Sequence, residues 1–306
     1  MGRVSAAAFL NFALAVALAP LLQGVIRRVK ARFAGRSGAP LLQSYRDLAR
    51  LLRKGAVYSR TTTWIFRLAP AAILALTLWA LALLPAGGLP ALLPFQGDFL
   101  LFVSVLALAR FVLVLAALDT GSSFEGMGAS REVAFSALAE PALLLALAAA
   151  ARVTGELSLT AMTAAAGAGA WAASLPAQLL VLGALLAVFL TENARIPVDD
   201  PNTHLELTMI HEVMILDHSG PDLALMEYAT ALKLWALGSL LVGLAMPARG
   251  GAAALDVALF LAGMLLLGLF VGVLESSIAR LRLSRIPQFL VGAAAFAVLA
   301  LVLVLR

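Results

Sequence analysis

Residues 99–118 read FLLFVSVLALARFVLVLAAL, an apolar run in which the only charged side chain is Arg110. A helix of about 20 residues spans the roughly 30 Å of hydrocarbon in a bilayer, because each residue adds about 1.5 Å. Seven other runs are similar, at residues 5–26, 68–85, 133–151, 175–191, 229–247, 254–275 and 286–305. With 62% hydrophobic and 13% charged residues, the sequence predicts an all-α polytopic membrane protein, one membrane domain over residues 1–306 with about eight transmembrane helices.

Basic residues are concentrated between the first two apolar runs, in residues 27–67. They are Arg27, Arg28, Lys30, Arg32, Arg36, Arg46, Arg50, Arg53, Lys54, Arg60 and Arg67, against one acid, Asp47. By the positive-inside rule, this loop is cytoplasmic. Counting spans from there places residues 119–132, 191–228 and 276–285 on the same side of the inner membrane. Both termini are then predicted on the outer, periplasmic side.

An amphipathic helix is predicted inside this basic loop, over Leu42–Lys54. Apolar side chains recur at helical spacing on one side, while Arg46 and Arg50 lie on the other. Such a helix lies along the membrane face, where either anionic lipid headgroups or a docked soluble subunit would contact it. The flanking membrane spans and the scarcity of aromatic residues argue against nucleic acid as a partner.

The segment between the fifth and sixth apolar runs, Thr191–Tyr228, is strongly acidic. Its carboxylates are Glu192, Asp199, Asp200, Glu206, Glu212, Asp217, Asp222 and Glu227, and its one strong base is Arg195. A connecting loop needs only to be soluble, so this concentration of acids in an apolar protein indicates a role in handling protons.

All three histidines also lie in this segment, at His204, His211 and His218. On a helix, consecutive members would be about 10 Å apart by helical rise, which is too far to share one metal ion. Proton exchange or hydrogen bonds to a partner suit them better. Cysteine is absent, so a thiolate-held metal or iron-sulfur cluster would have to belong to a partner protein.

Glu140 is an acid within the fourth apolar run, and Pro141 follows it. Proline has no amide hydrogen, so the carbonyl of Ala137 loses its helical partner and the helix loosens beside the carboxyl group. This predicts a proton relay, with a protonated structural glutamate as the alternative. Arg110 and Lys233 are candidate counter-charges, with their pairings left open. For Asp119, Lys233 and Glu275, an anchoring role at the membrane interface is the alternative.

Residues 192–201 read ENARIPVDDP, and residues 202–212 continue as NTHLELTMIHE. This stretch closely resembles the signature loop of the membrane subunit of energy-converting NiFe-hydrogenases and formate hydrogenlyase. These subunits are similar to the quinone-site subunit of respiratory complex I. The VDDPNTH sequence at 198–204 departs from the complex I pattern and favours the hydrogenase branch over quinone binding.

The resemblance implies a subunit that anchors a NiFe-hydrogenase large subunit and a small iron-sulfur subunit, next to antiporter-like membrane subunits. The NiFe centre and the iron-sulfur clusters would lie in those partners, and this chain would bind no cofactor and catalyse nothing alone. The residues predicted to transfer protons are Glu140, Glu192, Asp199, Asp200, Glu206 and Glu212. The residues predicted at the partner interface are Arg46, Arg50, Arg195, His204, His211, Asp217 and His218. A quinone-site subunit and a purely structural anchor remain the alternatives.

Overall fold

The computed structural model describes residues 5–166, 174–199, 209–246 and 251–305, and these ranges form helices joined by loops and turns. The helices are α1 Ala6–Phe33, α2 Gln43–Leu51, α3 Trp64–Ala82, α4 Asp98–Asp119, α5 Ser123–Thr154, α6 Leu159–Ala165, α7 Leu175–Glu192, α8 His211–Met214, α9 Gly220–Ala245, α10 Ala253–Ser277 and α11 Ile286–Leu305. In the described part of the chain, eight helices are long and apolar enough to cross a membrane. The predicted number of spans and the all-α fold are confirmed.

Three helices extend well beyond their predicted spans. α1 continues to Phe33, although the apolar run ends at residue 26. α5 begins at Ser123 rather than at residue 133, and α9 begins at Gly220 rather than at residue 229. Hydropathy detects only the part of a helix that contacts lipid or core, whereas a helix can continue wherever its backbone hydrogen bonds are satisfied. The extra turns of α5 carry acidic side chains into the protein interior.

Local sequence signals explain where several helices begin and end. The Ser5 hydroxyl accepts a hydrogen bond from the amide of Ala8 at 3.1 Å, which caps the start of α1. At the start of α3, Thr63 accepts from the amide of Ile65 at 3.3 Å. Gly155 ends α5 with a φ of 73°, a left-handed conformation that glycine adopts without steric cost.

Helix α9 lies at the centre of the bundle. Of its apolar window, 72% is buried, compared with 22% for the last span. α9 packs against α1, α2, α3, α7 and α10, while α11 packs on α5 and α7. Polar side chains of α9 therefore face other helices rather than lipid.

The loops predicted to be cytoplasmic meet at one end of the bundle. The amide of Thr63 donates to Asp119 at 2.7 Å, and the amide of Leu281 donates to the carbonyl of Pro197 at 2.9 Å. At the opposite end, the Asn11 side chain donates to the carbonyl of Leu84 at 2.9 Å. We refer to the first as the loop end. That it faces the cytoplasm stays a prediction.

Candidate functional site

Five charged side chains from four helices meet near the loop end, and we call them the central cluster: Arg110, Glu132, Glu140, Glu192 and Lys233. Arg110 of α4 donates from Nε to Glu132 at 3.2 Å, from Nη1 to Glu140 and from Nη2 to both oxygens of Glu192. Lys233 of α9 lies 3.0 Å from the other side of the Glu192 carboxylate. The predicted counter-charge role of both bases is confirmed, and the cluster links α4, α5, α7 and α9.

Glu140 is the most accessible acid of the central cluster. Its side chain is 34% exposed, compared with 17% for Glu132 and 5% for Glu192. It is ion-paired with Arg110, and Pro141 follows it within a helix that continues to Thr154. Glu140 therefore lies at the edge of the central cluster that is nearest to the surface of the chain.

Asp199 forms a second buried ion pair, which joins the loop after α7 to two other segments. One carboxylate oxygen lies 3.0 Å from the guanidinium of Arg280, and the other accepts from the amides of Ile210 at 3.1 Å and His211 at 3.4 Å. The Asp199 side chain is 1% exposed. These contacts fix the end of the acidic segment against the loop that follows α10.

Glu275 is the centre of a third charged group. Its side chain is fully buried, and its two oxygens lie 2.8 Å from Nζ of Lys30 and 3.5 Å from Nη1 of Arg195. This burial contradicts an anchoring role for Glu275 at the membrane interface, as the contact with Glu192 does for Lys233. Asp119 instead accepts hydrogen bonds from the amides of Thr63 and Phe66 at the start of α3, where a carboxylate stabilises a helix.

Glu212 lies in the short helix α8, and charged side chains of several neighbouring segments influence its pKa. Burial, with the nearby carboxylates of Glu227 and Asp199, raises the pKa of Glu212 to about 7, against the opposing effects of Arg27 and Arg195. A group with this pKa is partly protonated at neutral pH and can both accept and release a proton there. Among the predicted acids that the structure describes, Glu212 is therefore one whose burial brings its pKa close to neutral pH.

Within the described ranges, three cavities lie beside the charged groups. One of about 90 Å³, between α1, α2 and α9, is lined by Gln23, Arg27, Ser44, Asp47, Leu48, Leu51, Glu227 and Ala231. A second of about 40 Å³ is lined by residues that include Arg110, Glu132, His211, Thr230 and Lys233. A third of about 10 Å³ touches Glu132, Glu192 and Asp199. Since one water needs roughly 10–15 Å³, the first two cavities are large enough for water and the third is at the limit.

Comparison with known proteins identifies the family. A family model described as NADH dehydrogenase matches residues 5–305. The chain belongs to the NADH dehydrogenase family. Formate hydrogenlyase subunit 4 of Escherichia coli (strain K12) is 33% identical over 296 residues, which cover 94% of each chain. Hydrogenase-4 component C of the same organism is 32% identical over 278 residues, which cover 86% of this chain and 84% of that one.

A solved structure shares the fold of this NADH dehydrogenase family member. It is that of the membrane-bound sulfane sulfur reductase, an archaeal respiratory membrane complex, one chain of which matches with a TM-score of 0.79. The match covers 96% of this chain and 98% of that chain at 22% identity. The predicted resemblance and the multi-pass membrane fold are confirmed.

His211 and His218 of this family member do not share a helix, because α8 ends at Met214. His211 begins α8, and its Nε2 lies 3.4 Å from the hydroxyl of Thr230. His218 is buried and stacks on Phe66, with 3.8 Å between the ring centroids. Burial lowers the pKa of each imidazole to about 4, so both are neutral at pH 7.

The structure separates the residues predicted at the partner interface into two groups. Arg46, Arg50 and Asp217 are exposed at the loop end, where a partner can reach them. Arg195 and His218 are buried inside this chain. Asp200, His204 and Glu206 lie outside the described residues. The interface and proton-transfer roles of these residues stay predictions.

Two charged residues of the site are missing from the sequence-based set. Glu132 was assigned to a cytoplasmic loop, yet it lies within α5 and accepts from Arg110. Arg280 follows α10 and pairs with Asp199. The available signal for Glu132 was its position eight residues before Glu140, which indicates a helix that carries both acids.

Proposed function

We propose that this chain is the membrane-anchoring and proton-translocation coupling subunit of a membrane-bound NiFe-hydrogenase or formate hydrogenlyase complex. The observation that carries the proposal is the central cluster, five charged groups gathered among membrane-spanning helices. The similarity to a formate hydrogenlyase subunit and a hydrogenase-4 component supports the hydrogenase assignment. The loop end would face the cytoplasm, and both termini would lie on the periplasmic side of the inner membrane.

The partners in this proposal are a NiFe-hydrogenase large subunit, a small iron-sulfur subunit and antiporter-like membrane subunits. The first two would hold the NiFe centre and the iron-sulfur clusters, because this chain has no cysteine. The exposed side chains of Arg46, Arg50 and Asp217 would contribute to the docking surface for the soluble subunits.

The charge balance of the central cluster suits it to hold one exchangeable proton. It contains three carboxylates and two bases, so full ionisation leaves one uncompensated negative charge in a poorly hydrated region. Such a charge is costly unless a proton or cation neutralises it. Because Arg110 touches all three acids, the proton would be shared by the cluster as a coupled titration.

A route toward the central cluster would begin at the cavity between α1, α2 and α9. Asp47 and Glu227 line this cavity, and Glu212, with its pKa of about 7, is influenced by both Glu227 and Asp199. The cavity that touches Asp199 also touches Glu192. Arrival of an electron in a docked subunit would change the field at the loop end and shift the proton occupancy of these coupled acids.

The test is Glu140→Gln in the assembled complex. Glutamine keeps a hydrogen-bond acceptor for Arg110 but does not titrate, so we expect hydrogen production from an artificial donor to continue while proton uptake into inverted vesicles is lost. Asp98→Asn is the matched control, because Asp98 is buried at the opposite end, and it should pump normally. Normal pumping by the Glu140 variant would refute the relay.

The alternative is a quinone-site subunit of an NADH dehydrogenase, the activity that the family description names. That function requires a lipid-soluble substrate to reach the charged interior between helices. Quinone-site inhibitors would then block turnover competitively, and the purified complex would lack hydrogenase activity. Hydrogen production that is insensitive to these inhibitors would exclude the alternative.

A further inference from the structure

Helix α1 contains Pro20 in its middle. Proline has no amide hydrogen, so the carbonyl of Val16, one turn earlier, loses its helical donor. An unpaired carbonyl is costly inside a membrane protein, where water is scarce. The hydroxyl of Tyr228, on the central helix α9, donates to this carbonyl oxygen at 2.8 Å. A side chain from another helix thus restores the hydrogen bond that the proline removes.

A second tyrosine, Tyr45 of the amphipathic helix α2, acts at the next carbonyl along α1. Its hydroxyl donates to the carbonyl of Ala17. The hydroxyls of Tyr45 and Tyr228 therefore bind two successive carbonyls of α1, those of Ala17 and Val16, beside Pro20.

Gly24 places the start of α2 against α1, one turn beyond the proline. A Cβ atom at Gly24 would lie 2.3 Å from the carbonyl oxygen of Leu41, which is too close for any other residue. The backbone before α2 therefore packs directly on α1. Contacts on both sides of Pro20 thus hold α2 in place.

We propose that Tyr228 replaces the helical hydrogen bond that Pro20 removes, that Tyr45 binds the next carbonyl of α1, and that this kink joint positions α2 and α9 on α1. The same three helices enclose the cavity lined by Arg27, Asp47 and Glu227. The tyrosines are therefore positioning residues for this cavity. The joint rests on hydrogen-bond geometry alone and stands whether or not the cavity conducts protons.

A double-mutant cycle tests the link between Tyr228 and Pro20 in the full chain. Tyr228→Phe leaves the Val16 carbonyl unpaired, so we expect the apparent Tm to fall by about 2–4 °C. In the Pro20→Ala background the backbone amide at position 20 can donate to Val16, so the same substitution should shift Tm by less than about 1 °C. Equal shifts in the two backgrounds would overturn the proposal.

Tyr58→Phe is the matched control for this cycle. Tyr58 lies in the loop between α2 and α3, and its ring centroid is 4.8 Å from the guanidinium carbon of Arg67. Removal of the Tyr58 hydroxyl should shift Tm by the same amount whether position 20 is proline or alanine. A background-dependent shift for Tyr58 as large as that for Tyr228 would mean that Pro20→Ala acts globally, which also contradicts a local joint.

Thiol labelling in membrane vesicles tests the positioning of α2, because the chain has no native cysteine to react. Ser44 lines the cavity and is 6% exposed, so Ser44→Cys should react slowly with a maleimide. Adding Tyr45→Phe should raise that rate roughly tenfold, through more frequent opening of α2. Ser239→Cys on α9, at a site 2% exposed, should not change. An unchanged rate at position 44, or an equal rise at both positions, would contradict the joint.

Discussion

The two ends of the bundle hold buried carboxylates in different ways. At the loop end, Glu192 lies between Arg110 and Lys233, so ion pairs between helices balance its charge. At the opposite end, fully buried Asp98 accepts hydrogen bonds from the hydroxyl of Ser158 at 2.8 Å and from the amide of Leu159 at 2.7 Å. One end uses ion pairs between helices, and the other uses neutral hydrogen-bond donors.

This difference separates a responsive site from a structural one. Neutral donors fix a carboxylate in place and do not change charge when conditions change. In the central cluster, a proton gained by one acid alters the field at every other member, because all three acids contact Arg110. A charge-sensitive role is therefore expected at the loop end, and a purely structural role at the end that contains Asp98.

The largest expected effect comes from Arg110→Met. Removal of the guanidinium leaves three carboxylates with Lys233 alone, so we expect the free energy of unfolding to fall by about 3–5 kcal/mol. Arg110→Lys should recover only part of this loss, because one ammonium group does not match the guanidinium fork. Thermal unfolding in detergent measures both effects.

For Asp98→Asn, we expect the free energy of unfolding to fall by less than for Arg110→Met, by about 1–2 kcal/mol. The amide oxygen of the new side chain can still accept from the amide of Leu159. If Arg110→Met were no more destabilising than Asp98→Asn, the central cluster would not depend on charge pairing. The contrast between the two ends would then be wrong.

The sequence predicted which charged residues belong to the central cluster better than it predicted which of them pair. Arg110 and Lys233 stand out because a base within an apolar run must find an acid. Their partners are not predictable from spacing, since the acids that Arg110 contacts lie 22, 30 and 82 positions away in sequence. Glu132 was missed because hydropathy began the span at residue 133, whereas α5 is helical from Ser123.

The same limit of sequence-based prediction applies to the acidic segment, Thr191–Tyr228. Its composition predicted titrating groups, and Glu212 has a pKa near 7. Composition did not predict that Asp199 would be buried against Arg280 or that His218 would stack on Phe66. These contacts depend on how the loop packs against α10 and α3, which local sequence does not encode.

The next effect concerns Glu212 and its pH dependence. Its pKa rises from 4.5 unfolded to about 7 folded, so protonation favours the folded state. The contribution of Glu212 to the free energy of unfolding is fully present below about pH 4.5 and is lost as the pH rises toward 7. Its upper bound is roughly 3 kcal/mol. Glu212→Gln should remove that slope. A constant difference in Tm between the two proteins from pH 5 to 8 would contradict it.

A smaller effect is expected from Glu275→Gln. The substitution removes the carboxylate that pairs with Lys30 and Arg195. Lys30 is 21% exposed and its long side chain can reach water, whereas Arg195 is 10% exposed and remains buried. We expect a loss of about 2 kcal/mol in unfolding free energy. A double-mutant cycle should show a larger coupling of Glu275 to Arg195 than to Lys30, and the reverse order would contradict this assignment.

The smallest effect tests His218, which responds to pH in the opposite direction from Glu212. Its pKa falls from 6.5 unfolded to about 4 folded, so its contribution is full above about pH 6.5 and is lost as pH falls toward 4. His218→Phe keeps an aromatic ring against Phe66 and does not titrate. Its Tm advantage over the wild type should therefore grow by an amount equivalent to about 1 kcal/mol between pH 7 and pH 5.5. Because Glu212 stabilises the fold over the same interval, the comparison is cleanest when both proteins also carry Glu212→Gln. If the advantage did not grow there, the imidazole would not be held neutral by burial.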